Sequence, residues 1–258
     1  MSDLIEIVYH DTIAEVALNR PKAYNAFNLE MMTELANQLI HLSANGNIKG
    51  VVLTGRGKAF CAGGDLAWVS EYSETYGSSF HVLAAQFHAT ILEIRRMNKP
   101  VIAAINGAAA GGGFSMALAC DFRVMEESAV LKQAYTSNGL CLDGGGTFTL
   151  TRLVGMAKAL EIAAFDEAIP AIKALEWGLV TKTVENGKAL EISIEMLNRL
   201  ATGSLHSFGL VKRLITDSYN HTFETCLELE REALGECGNH RDGIEGINAF
   251  KEKRKPRF

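Results

Sequence analysis

The chain has 258 residues, 48% of them hydrophobic, with only 4 prolines, which suits one large globular unit and argues against disorder. Its 30 acidic and 25 basic residues leave a formal charge of -5, so a small molecule rather than nucleic acid is the expected partner. The five cysteines lack C-x-x-C spacing and read as reduced thiols of a cytoplasmic protein, not as a disulfide framework or zinc ribbon.

No segment reaches the length of a membrane span, and the N-terminus shows no basic stretch ahead of an apolar core, so neither membrane nor export is expected. In chain order, "LIEIVYHDTIAEVALNR" carries two short β-prone runs split by His10 and Asp11, a hairpin or meander. "NLEMMTELANQLIHLS" places apolar residues at helical spacing behind Asn28, a capping residue type. "GVVLTG" suits a buried strand and "RGKAFCAGGDL" a loop. A helix is expected from about Phe80 to Arg96, then the strand "PVIAAIN", three glycines and another helix. "DFRVMEESAVLKQ" gives two short strands around an acidic turn. From Met156 onward "MAKALEIAAF", "PAIKALEWGLV" and "ALEISIEMLNRLA" read as helices with little strand signal, and no internal repeat is evident. Strands recurring before helices predict an α/β architecture with a helical C-terminal layer.

Two glycine segments, "KAFCAGGDL" and "AAAGGGFSM", stand directly before apparent helices. Glycine admits close approach of a ligand, and a helix N-terminus offers unpaired N–H groups and a positive dipole. Two such points converging on one oxygen would form an oxyanion hole for a thioester enolate. Neither segment has the spacing of a P-loop or of a dinucleotide fingerprint.

"LNRPKAYNAFN", "VVLTGRGKAFCAGGDL", "NKPVIAAINGAAAGGGFSMALACD" and "EGINAFKEKRKPRF" together resemble the crotonase, or enoyl-CoA hydratase/isomerase, superfamily over essentially the whole chain. The resemblance implies a spiral of β-β-α units over residues 1–200 and a helical C-terminal region over 201–258 used in trimer assembly, often as a dimer of trimers. It places the oxyanion donors on the backbone N–H groups of Gly64 and Gly112. It assigns coenzyme A recognition to the segments Lys22, Ala23 to Ala26 and Lys58, Ala59 to Ala62, and the acyl pocket to Trp68, Phe80, Leu83, Phe87 and Tyr135. Coenzyme A then enters as part of an acyl-CoA thioester substrate, with no separate cofactor and no metal.

Hydratases of this family activate water with two glutamates, and Ser115 and Tyr135 stand at those places here. A hydroxyl and a phenol hold their protons far from neutrality and do not replace a carboxylate pair. Asp143, in "CLDGGGTFTLTRLVG", has two readings. On residue pattern alone it is a helix N-cap serving Gly145 or Gly146. By resemblance to the double-bond isomerase branch, such as ring-epoxide phenylacetyl-CoA isomerases, it moves a proton between carbons. His88, on an expected helix, is a structural or solvated histidine by pattern. The chain also resembles the 4-chlorobenzoyl-CoA dehalogenases at His88 and Asp143 together, where the aspartate attacks the ring and the histidine assists hydrolysis. Tyr135 there replaces a tryptophan and Gly64 a phenylalanine. The expected activity is therefore an acyl-CoA double-bond isomerase. The alternatives are a dehalogenase-like hydrolase, a hydratase of non-standard mechanism, and a non-catalytic acyl-CoA binder.

Overall fold

The computed structural model describes residues 4–258. Strands β1 (Ile5–His10) and β2 (Ile13–Leu18) form the expected antiparallel hairpin, with Asp11 turning the chain at φ 56°. Helix α1 (Leu29–Ala44) starts where Asn28 accepts the Met31 N–H at 3.0 Å, a side-chain cap that satisfies one of the free donors of the first turn. The buried strand β3 (Gly50–Gly55) leads to β4 (Ala59–Cys61), which lies inside the segment expected to be all loop. Helices α2 (Leu66–Tyr72) and α3 (Tyr76–Arg96) follow, the latter capped by Thr75 and therefore starting ahead of Phe80. Then come β5 (Val101–Ile105), β6 (Ala108–Ala110), α4 (Gly112–Ala119), β7 (Phe122–Glu126) and β8 (Val130–Lys132).

Helix α5 (Gly146–Phe165) is interrupted at Gly155, whose φ of 74° is non-helical. Two strands, β9 (Ile169–Pro170) and β10 (Lys182–Val184), flank α6 (Ala171–Glu176), in a stretch whose sequence reads as helical throughout. The helix ends because Gly178 takes a positive φ of 74°, and Leu179 and Val180 are then buried as the chain turns into β10. The remainder is α7 (Ala189–Leu200), α8 (Leu205–Asp217), α9 (Phe223–Asn239) and α10 (Arg241–Lys251). No helix among the described residues is long and apolar enough to cross a membrane.

The strands form two sheets, in the order β1-β2-β3-β5-β7-β10 and β4-β6-β8-β9. Successive pairs, β3 with β4, β5 with β6 and β7 with β8, each give one strand to the large sheet and one to the small sheet before the chain enters a helix. Each lies parallel to the pair before it. That is the β-β-α spiral the resemblance implies. Its repetition escapes the sequence because the small-sheet strands AFC, AAA and VLK are three residues long and share only a buried central residue.

The large sheet is covered on both faces at its centre, which is why β3 and β5 are buried along their whole length and largely apolar rather than alternating. Val51, Leu53, Val101, Ala103 and Ile105 face the main core with α1 and α3. Val52, Ile102, Ala104 and Val124 face α7 through Leu197. Helix α8 is fixed to this body by Lys212, whose Nζ donates to Ile94 O (3.0 Å), Lys99 O (3.3 Å) and Asp121 Oδ2 (2.8 Å).

Candidate active site

A cavity of about 500 Å³ opens between the 62–64 segment, α3, the start of α4 and the 134–143 loop. Both glycine segments reach it. Phe27 N–H donates to Gly63 O and Asp65 N–H to Phe27 O, each at 2.8 Å. These bonds close a parallel bridge between Phe27 and Gly64. Amide direction alternates along an extended chain, so the Gly64 N–H points away from Phe27. Gly112 is the first residue of α4, and its N–H has no partner within the helix. A Cβ on Gly63 would stand 2.9 Å from Gly112 N, so the two segments are in direct contact and both Gly64 and Gly112 line the cavity.

The triple glycine answers to packing. A Cβ on Gly112 would lie 2.4 Å from the Phe27 ring, and one on Gly113 2.2 Å from Cys61 O, so neither position has room for a side chain. Phe27 in turn packs on Phe87 with ring centroids 4.7 Å apart.

A set of residues that the sequence pattern did not single out holds this geometry. Asn25, fully buried at φ 56°, donates from Nδ2 to Ala59 O at 2.8 Å and Arg56 O at 2.9 Å, and accepts the Arg20 N–H at 2.9 Å. Arg20 pairs with Asp65 at 2.8 Å, and Asp65 also caps α2 through Ala67 N and Trp68 N. The signal available in the sequence was the Asn25 position itself, since asparagine tolerates a left-handed backbone. These bonds bring together the 22–26 and 58–62 segments, as expected. However, Lys22, Ala23, Ala26 and Lys58 lie outside the cavity wall. Ala59 is buried as a strand residue and its carbonyl is already used by Asn25, whereas Ala62 does line the cavity.

Phe80, Leu83 and Phe87 form the apolar wall on α3 as expected. Trp68 does not join them. With its N–H fixed by Asp65 at the start of α2, its ring stacks on Tyr72, four residues on, at 4.3 Å and lies over a separate groove beside Leu29 and Thr33 of α1. That placement corrects the expected acyl contact.

The 134–143 loop carries the polar end of the cavity. Asp166, buried at the end of α5, accepts the Ala134 N–H at 2.7 Å and also bonds the Ser137 hydroxyl. It is a second supporting residue that the sequence reading passed over. Asp143 lines the cavity. Its helix-cap reading does not hold: the cap of α5 is Gly145, with no side-chain bond, and Gly146 N–H goes to the backbone oxygen of Asp143 at 3.1 Å. Its carboxylate turns to α3 instead, where His88 Nε2 donates to Oδ1 at 2.5 Å. Asp143 is 34% exposed and His88 51%. His88 lies outside the main cavity, on a second groove lined by Ile91, Arg95 and Phe148.

Tyr135 and Ser115 sit beside Asp143. Burial, and next the negative charge of Asp143, push the Tyr135 phenol well above its ordinary range, so it is a neutral hydroxyl at any physiological pH. Ser115 lies close enough to moderate that rise, yet its fully buried Oγ completes no hydrogen bond with a protein group. Burial pushes the thiols of Cys61 and Cys120 up to about 12, so neither is a ready nucleophile. The chemistry available is thus the backbone donors of Gly64 and Gly112, one carboxylate braced by an imidazole, a neutral hydroxyl, and the His81 imidazole and Asn138 amide, in an otherwise largely apolar cavity.

The model of the family "Enoyl-CoA hydratase/isomerase" matches residues 9–258. The chain is 33% identical over 247 residues to the 1,2-epoxyphenylacetyl-CoA isomerase of Escherichia coli, covering 95% of this chain and 94% of that protein. It is 33% identical over 251 residues to 4-chlorobenzoyl coenzyme A dehalogenase-2 of an Arthrobacter species, covering 96% and 91%. Among solved structures, an enoyl-CoA hydratase from Bacillus anthracis superposes with a TM-score of 0.92 at 35% identity, covering 99% of this chain and 98% of that one. With isomerases, hydratases and dehalogenases at similar distance and the spiral fold in common, the chain belongs to the enoyl-CoA hydratase/isomerase family.

Proposed function

We propose that this protein is an acyl-CoA double-bond isomerase. The observation that carries the reading is that, among the described residues lining the cavity, Asp143 is the only carboxylate. Adding water across a double bond by the family's acid–base pair takes two, whereas moving one proton between carbons takes one. The thioester oxygen would sit between the Gly64 and Gly112 N–H groups, which stabilise charge that exists only in the enolate. That charge makes the adjacent C–H acidic. Asp143 would take the proton from the carbon nearer the thioester, leaving the electron pair in the enolate, and return it two carbons further on. His88 holds Oδ1 and so leaves the other carboxylate oxygen free for the transfer.

Lys22 to Ala26 and Lys58 to Ala62 would receive the coenzyme A portion, a reading supported by the Asn25 bonds that join the two segments and by the place of Ala62 on the cavity wall. The scheme needs no metal or redox cofactor, because the backbone supplies the electrophile. The His88–Asp143 contact supports one second reading, dehalogenase-like hydrolysis, in which Asp143 attacks a ring carbon and His88 activates water. The test is the product. With a 3-enoyl-CoA, the mass should be unchanged and the double bond conjugated with the thioester. Formation of a 3-hydroxyacyl-CoA as the main product would sink the reading, and chloride release from 4-chlorobenzoyl-CoA would establish the second one.

A further inference from the structure

Behind the His88–Asp143 pair lies a second groove, of about 370 Å³, which shares no lining residue with the acyl cavity. The cavity wall ends at Asp143 and the groove begins at Gly144. On one side, α3 presents His88, Ile91, Leu92 and Arg95 at the spacing of a single helix face, and on the other α5 presents Phe148. His88 and Arg95 are about 10 Å apart along the helix, and the wall between them is largely apolar.

The Arg95 end lacks a counter-ion. Burial pushes the Arg95 guanidinium below its ordinary value, with Asp217 acting against the shift and the neighbouring Arg152 adding to it. It stays charged all the same. Among the described residues it makes no hydrogen bond and no ion pair. Asp217 and Asp121 act on it through charge alone, and Asp121 is already engaged by Lys212 and the Val101 N–H. A second cation stands close by, since Arg95 lies 5.0 Å and Arg152 3.2 Å from the centre of the same Phe148 ring. Arg152 donates one N–H to Phe148 O at 3.0 Å, and its Nε is buried without a partner. Two like charges gathered on one ring, partly removed from water and short of acceptors, repel each other, and an anion would relieve both.

The geometry points to this groove as a binding site, separate from the acyl cavity, for a small carboxylate with an apolar tail. The carboxylate would pair with Arg95, whose planar fork matches it in a two-pronged bond. The tail would lie along Ile91, Leu92 and Phe148 toward His88. Inorganic phosphate would leave the apolar wall uncovered, and a neutral chain would leave the guanidinium unpaired. The site does not depend on the isomerase reading, although its occupant would lie against the residue that holds Asp143.

Titration calorimetry on the native protein tests this with hexanoate as the probe, and with acetate and hexanamide as probes lacking the tail or the charge. Hexanoate should bind once per chain, and equally well when the acyl cavity is filled by S-hexyl-CoA, a thioether that cannot react. Acetate and hexanamide should each bind roughly 10-fold or more weakly, the loss expected when the buried tail or the charged hydrogen bond is missing. Arg95→Gln should weaken hexanoate by roughly 10-fold or more. Leu92→Trp, which fills the groove from an exposed position and leaves both arginines in place, should weaken it as well. Should one variant fail to fold, the other decides. No saturable binding of hexanoate below about 10 mM, displacement by S-hexyl-CoA, or an affinity that survives either substitution overturns the site and leaves the isomerase reading standing.

Discussion

Asp143 is held in two independent ways: its backbone oxygen receives Gly146 N–H at the start of α5, and its side chain receives His88 Nε2. Because the carboxylate caps no helix, removing its charge should leave the fold almost untouched. Asp143→Asn preserves shape and one acceptor oxygen but cannot take up and return a proton. Turnover should therefore fall by roughly 100-fold or more, while the thermal midpoint stays within about a degree or two. A large drop in the midpoint with turnover intact would assign the residue to structure after all. Ser115 and Tyr135 show the same separation of roles. By the family resemblance they stand at the places of the hydratase glutamates, and both are neutral hydroxyls, able to donate or accept a hydrogen bond but not to serve as a carboxylate base.

Among the elements, α8 owes its position to a buried charge. Lys212 is only 8% exposed, and its partner Asp121 also accepts the Val101 N–H at 2.8 Å, tying the helix to the start of β5. Burial pushes the Asp121 carboxyl above its ordinary range, against the pull of Lys212. Breaking such a pair from one side leaves the other charge uncompensated. Lys212→Met should cost about 3–5 kcal/mol, read as a lower urea midpoint with an unchanged slope. Adding Asp121→Asn should recover part of the loss, because no bare carboxylate then remains. No recovery would mean that the lysine acts through its packing and its two backbone carbonyl bonds. The strands missed in the sequence belong to this scale as well. β6 is three alanines, without intrinsic strand preference, and β9 only an isoleucine and a proline, too short to show a pattern; each exists because a neighbouring edge offers backbone partners.

At the scale of the whole molecule, the later helices expose large apolar side chains. Met156, Leu160 and Phe165 on α5, Ile172 on α6, Ile215 on α8, Leu234 on α9 and Phe250 on α10 are each more than 60% exposed. A monomer rarely leaves so much apolar surface in water, which fits the three- or six-copy assembly that the family resemblance implies. Sedimentation should give three or six copies of the 28.0 kDa chain. The double substitution Met156→Glu and Leu160→Glu, placed four residues apart on one helix face, should shift the distribution toward the single chain. A native protein that sediments as a monomer would refute the assembly.

The sequence by itself determined the strands of the large sheet other than β10, most of the helices, the family and the glycines of the two donor segments, because each is written in local terms: an apolar run, a helical period, a capping residue, an ordered set of motifs. It also brought Asp143 and His88 forward, though with two readings each. Tertiary structure alone removed the cap reading of Asp143, since the turn of its carboxylate toward α3 depends on a contact across 55 positions of chain. It alone turned Trp68 away from the cavity and placed Asn25 and Asp166 as supports. A three-residue strand, a side chain's direction and the unpartnered Ser115 hydroxyl are properties of what lies opposite, and what lies opposite comes from distant parts of the chain.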